Sequence, residues 1–252
     1  LHLEGQQSIL AALTARSRKV DLILIKANAH LERYQKVLEE AERQSISVKQ
    51  VAAEELDEIA HGKTHGGLVA LCGRRKLAGL AALKEILQVK SGNPLLLVLE
   101  GVEDVQHLGY VLRSAEALGA HAVLLKKHLW TFDETALSRT SSGAFERVPL
   151  LKFAEASDMR VLSKFQVALW GCIAGVKRTM YEIDLRQPIA LAVGGEKRGL
   201  SGKLRQECDG FIRIPMAPGS ASSLSLTHAA CLVLGEAARQ RFASLHQSPS
   251  PE

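Results

Sequence analysis

Cysteine is scarce and scattered in this chain. The 252 residues contain four, Cys72, Cys172, Cys208 and Cys231, and no Cys-x-x-Cys pair. That removes the usual zinc and dithiol-redox signatures and leaves buried, reduced thiols as the expected state. Aromatic residues make up only 4%. No uninterrupted apolar run approaches the roughly 20 residues that a membrane span needs, and the longest, Pro94 to Leu99, suits a buried strand. The opening Leu1-His2-Leu3-Glu4 lacks the basic-then-apolar pattern of a secretory signal. With no Met at position 1, the chain leaves room for residues before Leu1. An internal repeat is also missing.

Hydrophobic residues account for 46% and charged residues for 23%. That is an ordinary globular composition, with enough apolar surface for one large domain or two small ones. The net charge of +5 favours a polyanionic partner. Its excess gathers in Arg74-Arg75-Lys76, Lys126-Lys127, Lys177-Arg178, Lys197-Arg198 and Lys203/Arg205, each near a predicted loop. Taken singly these are solvated surface charges; together they suggest an RNA-facing surface.

Periodicity divides the chain. Helix-like spacing covers Ser8 to Arg18, Leu31 to Ala41 and Glu54 to Ala60, and strand-like runs cover Asp21 to Lys26, Ile46 to Val51 and Leu68 to Cys72. These make a small α/β domain, residues 1–76. A linker, 77–93, holds a helix with Leu80, Leu83, Ile86 and Leu87 and ends in the turn cluster Ser91-Gly92-Asn93-Pro94. In the second domain, 94–245, strands Leu95 to Leu99, His121 to Leu125, one near Val148, Gln166 to Trp170, Ile189 to Val193 and Phe211 to Ile214 alternate with helices. Those helices are Leu108 to Leu118, Glu134 to Arg139, Ser157 to Lys164, Ser201 to Glu207 and Ser223 to Phe242. Such alternation predicts a parallel sheet covered on both faces. The tail, 246–252, reads as disordered.

Three strand-end segments carry the chemistry. The first runs from Glu100-Gly101-Val102 to Gly109 and on through Val111-Leu112-Arg113-Ser114-Ala115 to Gly119. The second is Leu191-Ala192-Val193-Gly194-Gly195-Glu196-Lys197-Arg198-Gly199-Leu200-Ser201. The third joins Ile214-Pro215-Met216 to Ser222-Ser223-Leu224-Ser225, where Ser222 or Ser223 would cap the last helix. Ligands of parallel sheets bind beyond the carboxyl ends of the strands, so the three should meet at one rim. The glycines of the second segment suit a tight turn or close approach to a nucleotide. A phosphate loop fails there because Leu200 stands where Lys is needed, and a dinucleotide fingerprint fails for want of G-x-G-x-x-G. Arg113 taken alone suits a surface ion pair with Glu116. His61 and His65, four residues apart, suit an exposed or RNA-facing turn better than a metal site.

In this order and separation the three segments resemble the motifs of the SpoU (TrmH-like) branch of the SPOUT RNA methyltransferases. The resemblance extends to Leu3-Glu4-Gly5 and His65-Gly66-Gly67-Leu68-Val69-Ala70, which are similar to the small RNA-binding domain that several SpoU members carry. It implies an α/β fold with a C-terminal trefoil knot, a cytoplasmic homodimer, and S-adenosylmethionine (SAM) as methyl donor with no metal. The implied substrate is a ribose 2′-hydroxyl of RNA, ribosomal before transfer RNA. Cys172, Ile173, Val193, Gly194, Gly195, Ile214, Met216, Ser223 and Leu224 would hold the cofactor, and Arg113, Glu196, His107 and Ser225 would form the catalytic set. An Arg is a poor base, so Arg113 is expected to position the hydroxyl and stabilise negative charge. Two positions depart from the family: His107 and Ser225 each stand where members carry Asn. Retention of Arg113 and Glu196 favours an active enzyme, and the alternative is a non-catalytic RNA-binding protein on the same scaffold.

Overall fold

The structure is a computed structural model that describes residues 1–60, 62–89, 92–126, 132–220 and 223–243. The expected tail, and with it His61, Ser91, Lys127 and Ser222, lies outside the described residues. The chain forms two compact units, one of residues 1–76 with 132–147 and one of 77–126 with 148–243.

In the first unit β1 (His2–Glu4), β2 (Val20–Lys26), β3 (Ser47–Val51) and β4 (Leu68–Cys72) form a sheet in the order β1-β4-β2-β3. Only β2 and β3 run parallel; β4 is antiparallel to both β1 and β2. Helices α1 (Gln6–Ala15) and α2 (Gln35–Arg43) cover it with a core of Leu3, Ile9, Leu13, Ile23, Val37 and Leu68. Helix α3 (Ala53–Ile59) packs through the fully buried Leu56 against Leu24 and Val69. At three residues, β1 is too short to show a period, which is why sequence pattern missed it.

Electrostatics brings a distant segment into this unit. Helices α6 (Glu134–Thr140) and α7 (Ala144–Arg147), which follow the second unit's first strands in sequence, pack on β1 and α1. The buried Arg18 grips Glu146 with two bonds, Nε to Oε2 at 3.0 Å and Nη2 to Oε1 at 2.8 Å, and reaches Glu134 at 2.8 Å. Planar two-point geometry of this kind is the strong form of an Arg–carboxylate pair. Arg75 lies over the Phe145 ring at 5.0 Å, and burial pushes its guanidinium down to about 10. That Arg therefore turns inward, unlike the solvated cluster its sequence suggests. His65 is likewise buried, not exposed. Its Nε2 bonds Asp57 at 2.8 Å and its Nδ1 accepts the Gly67 N–H.

The second unit is a seven-stranded, all-parallel sheet in the order β11-β9-β10-β6-β7-β8-β5. Its strands are β5 (Ala78–Gly79), β6 (Leu95–Glu100), β7 (Ala122–Lys126), β8 (Leu150–Phe153), β9 (Ala168–Cys172), β10 (Ile189–Gly194) and β11 (Gly210–Ile212). One face, with Leu96, Val98, Ala190 and Ala192, packs on Leu83 of α4 (Leu83–Val89), the 3₁₀ helix Ala156–Phe165 and Leu204 of α8 (Gly202–Gln206). Opposite lie α5 (Val105–Ala117) and α9 (Leu226–Ala243), which pack on each other. The expected doubly covered parallel sheet is therefore present. The segment 156–165 is 3₁₀, with a Glu155/Asp158 capping box at its start. Of the free cysteines Cys72 is buried, Cys172 and Cys208 are half-buried and Cys231 is exposed, against the expectation of uniform burial.

Strand order positions the site. The chain runs outward from β6 through β7 to β8, then crosses to β9, and β10 inserts between β9 and β6. The direction of winding reverses between β6 and β10, and a crevice opens at such a reversal.

Replacing Glu146 by Ala strands the Arg18 guanidinium in the interior. Urea unfolding should register a loss of about 3–5 kcal/mol, with Glu146→Gln losing less because an acceptor remains.

Candidate active site

Because β6 and β10 pair with Gly194 opposite Glu100, the segments that follow them emerge side by side. They touch through main chain. A Cβ on Gly195 would lie 2.4 Å from the Gly101 carbonyl oxygen, and one on Gly194 would lie 2.1 Å from the Gly199 carbonyl carbon. The obstacle in both cases is backbone, so only glycine fits. Gly101 itself holds a φ of 81°, in the left-handed region, and the Gly199 N–H closes the second loop onto the Gly195 carbonyl at 2.8 Å.

A buried carboxylate fastens the arrangement. Glu100, 5% exposed at the end of β6, accepts from the Ser201 N–H at 2.7 Å, from the Ser201 hydroxyl at 2.9 Å and from Lys126 Nζ. The same hydroxyl accepts the Leu204 N–H and so caps α8. Burial disfavours ionisation of Glu100, but the bonds from Lys126 and Ser201 outweigh it and hold the carboxyl below its ordinary value. Sequence reasoning gave Glu100 no role. Its signal was an acid ending a wholly apolar strand.

Two cavities flank these loops. The larger, of about 390 Å³, is within the range of roughly 300–1,000 Å³ typical of small-molecule sites. Every residue expected to hold the cofactor lines it: Cys172 and Ile173 after β9, Val193, Gly194 and Gly195 from β10, Ile214 and Met216 after β11, and Ser223 and Leu224 before α9. Burial pushes the Cys172 thiol up to about 12, so it is a neutral, apolar wall. Arg205 also lines this cavity, its Nε fixed on the Leu200 carbonyl at 3.0 Å. In sequence it was visible only as part of a basic cluster.

The second cavity, about 280 Å³, is lined by Gly101, Glu103, Asp104, His107 and Lys197, and shares Glu196 and Leu226 with the first. Asp104 caps α5 by accepting the N–H groups of Gln106 and His107, which sets the first helical turn. His107 Nδ1 faces Glu196 Oε1 at 3.8 Å, and Lys197 pairs with Glu103 at 2.6 Å.

The expected catalytic residues are thus brought together only in part. His107 and Glu196 share a cavity wall. Ser225 sits between Leu224 and Leu226 and caps α9, its hydroxyl accepting the His228 N–H at 3.3 Å and bonding His228 Nδ1 at 2.7 Å. The last helix therefore begins three residues later than expected from Ser223. Arg113 stands on the exposed side of α5, lines neither cavity, and among the described residues forms no ion pair, with Glu116 or otherwise.

Residues 94–235 match the SpoU rRNA methylase family. The chain belongs to that family. Residues 2–78 match the domain described as RNA 2′-O ribose methyltransferase substrate binding. A SpoU relative from Xylella fastidiosa, 23S rRNA (guanosine-2′-O-)-methyltransferase RlmB, is 35% identical over 238 residues, covering 94% of this chain and 95% of the relative. The crystal structure of the SpoU methyltransferase AviRb from Streptomyces viridochromogenes superposes with a TM-score of 0.78 at 25% identity, covering 97% of this chain and 90% of that one. The complex of AviRb with its cofactor AdoMet gives a TM-score of 0.77 at 24% identity, covering 96% and 91%.

Glu100→Ala removes the acceptor of Lys126 and Ser201 and should cost about 2–3 kcal/mol. The stabilisation from this lowered carboxyl is complete above its unfolded value and is lost as pH falls through the folded one. Glu100→Gln should accordingly flatten the acid limb of the pH–stability curve measured by urea unfolding.

Proposed function

We propose that this chain is a SAM-dependent RNA 2′-O-ribose methyltransferase that modifies a guanosine of 23S ribosomal RNA. The observation that carries the reading is the single cavity formed by loops after β9, β10 and β11 and the segment before α9, in a chain of the SpoU family. The cavity suits SAM on its own terms. Gly194, Gly195 and Gly199 line it without side chains, and Ile214, Met216 and Leu224 supply apolar walls for an adenine ring. We further assign RNA binding to residues 1–76 and the chemistry to 94–245, with a C-terminal trefoil knot and a cytoplasmic location. Among the described residues no helix is long and apolar enough to cross a membrane.

When bound, SAM supplies a methyl group on a positively charged sulfur. The residues of the chain align acceptor with donor, which is where most of the rate arises in such a transfer. Arg113, always charged, stabilises negative charge as the hydroxyl loses its proton. Its distance from both cavities of its own chain leads us to infer a homodimer in which Arg113 serves the partner's cavity. Tyr110 of α5 and Leu232 and Phe242 of α9 are exposed apolar side chains on the two helices that pack on each other, and they are available to such a contact.

A second reading, RNA binding without catalysis, is favoured by the Ser225 hydroxyl, which is committed to capping α9 and to His228. Calorimetry separates the two, since absence of SAM affinity would favour the binding protein.

Incubating the protein with 23S rRNA transcript and labelled SAM should place one 2′-O-methyl on a guanosine, mapped by ribose-methylation sequencing. An unlabelled 23S transcript would overturn the reading. Arg113→Ala should lower turnover about 10²–10³-fold without altering circular dichroism. Mixing Arg113→Ala with Gly195→Ala protein, each inactive alone, should restore turnover if Arg113 acts across a dimer; a mixture as inactive as its parts would count against it.

A further inference from the structure

We propose that His107, with Nδ1 directed at the Glu196 carboxylate, is the general base that takes the proton from the ribose 2′-hydroxyl. This rests on the methyltransferase reading above and supplies the proton acceptor that Arg113 cannot be, since a guanidinium has no lone pair to offer at physiological pH.

The other ionisable groups around the two cavities are already engaged. Glu100 is buried and bound by Lys126 and Ser201. Glu103 is paired with Lys197, and Asp104 caps α5. Arg205 and Lys197 are cations. That leaves His107 and Glu196, which face each other at 3.8 Å with side chains 45% and 49% exposed, open to a substrate. Glu196 lines both cavities, so the pair stands where the cofactor cavity meets its neighbour, the place an acceptor hydroxyl must reach. Of the two, imidazole is the stronger base near neutral pH.

The local build fixes the backbone that carries the ring. His107 lies in the first turn of α5, its N–H bonded to Asp104 at 3.3 Å. The groups facing it are Glu103 and Asp104 from the loop after β6, Glu196 and Lys197 from the loop after β10, and the apolar Leu226 from α9. In the tautomer that carries its proton on Nδ1, on the side of Glu196, the lone pair resides on Nε2. Nε2 accepts the hydroxyl proton as the ribose oxygen bonds the methyl carbon and the carbon–sulfur bond breaks, its electron pair staying on sulfur. The imidazolium that results is stabilised by Glu196 and passes its proton to water after product release. Contacts of this kind lengthen in the free enzyme and tighten around substrate.

Full-length protein and its His107→Asn variant are compared in single-turnover methylation of 23S rRNA and, without turnover, by calorimetry with SAM and with the RNA. The chemical step should slow about a hundredfold or more in His107→Asn, with both affinities retained, and the variant's rate should lose the wild type's dependence on pH. A His107→Asn enzyme with the wild-type rate and pH profile, or one whose loss lies in SAM or RNA affinity alone, would overturn the proposal. Wild-type protein that methylates no RNA would instead overturn the methyltransferase reading, and the base with it.

Discussion

The contact between Gly101 and Gly195 is the constraint on which the rest of the second unit depends. Neighbouring parallel strands end together, and their outgoing chains must diverge or touch. Here they touch main chain to main chain, at a separation no Cβ would permit. That closeness brings the loop after β6 and the loop after β10 to one crevice, and Glu100 fixes it by joining the end of β6 to the cap of α8 through Ser201. A buried acid is costly unless its acceptor capacity is filled. Lys126 and Ser201 fill it, so the same group that would otherwise destabilise the sheet specifies the loop conformation.

The polar character of the two cavities follows from this frame. The larger is bounded by backbone, by a neutral thiol and by branched or sulfur-containing apolar side chains, an environment suited to a flat, hydrophobic ring. The smaller gathers carboxylates, a lysine and an imidazole, an environment suited to moving protons and orienting a polar acceptor. Glu196 and Leu226 belong to both. A methyl donor and a hydroxyl acceptor need such adjoining but chemically different compartments, since the donor is recognised by shape and the acceptor must be ionised.

The first unit meets a different demand. Its sheet is mixed and small, and a unit of this size buries a limited apolar area. Arg18 adds a charged anchor at its centre that holds α7 through Glu146 and α6 through Glu134. The buried Glu4, bonded by Thr64 and Arg139, ties the same segment to the loop that His65 braces. Basic residues that look like a continuous solvated surface in the sequence are thus divided between this interior network and the exterior.

Much of the architecture was legible in the residue pattern, and the reasons are local. Apolar runs such as Leu95 to Leu99 and Ile189 to Val193 suit buried strands, and glycine doublets after a strand suit close turns, so the parallel sheet followed from spacing, whereas the residues that line the larger cavity were singled out by the family resemblance alone. The three-residue β1, the 3₁₀ character of 156–165 and the cap at Ser225 escaped because each is decided by one or two hydrogen bonds with no periodic trace. The inward turn of Arg75 and His65, the role of Glu100 and the 3.8 Å approach of His107 to Glu196 were beyond any reading of spacing. By itself the sequence determined which segments become strands and where close glycine turns follow them, because these depend on side-chain period and backbone freedom. Only the tertiary structure decided which charges meet, because residues far apart in the chain become neighbours through strand order alone.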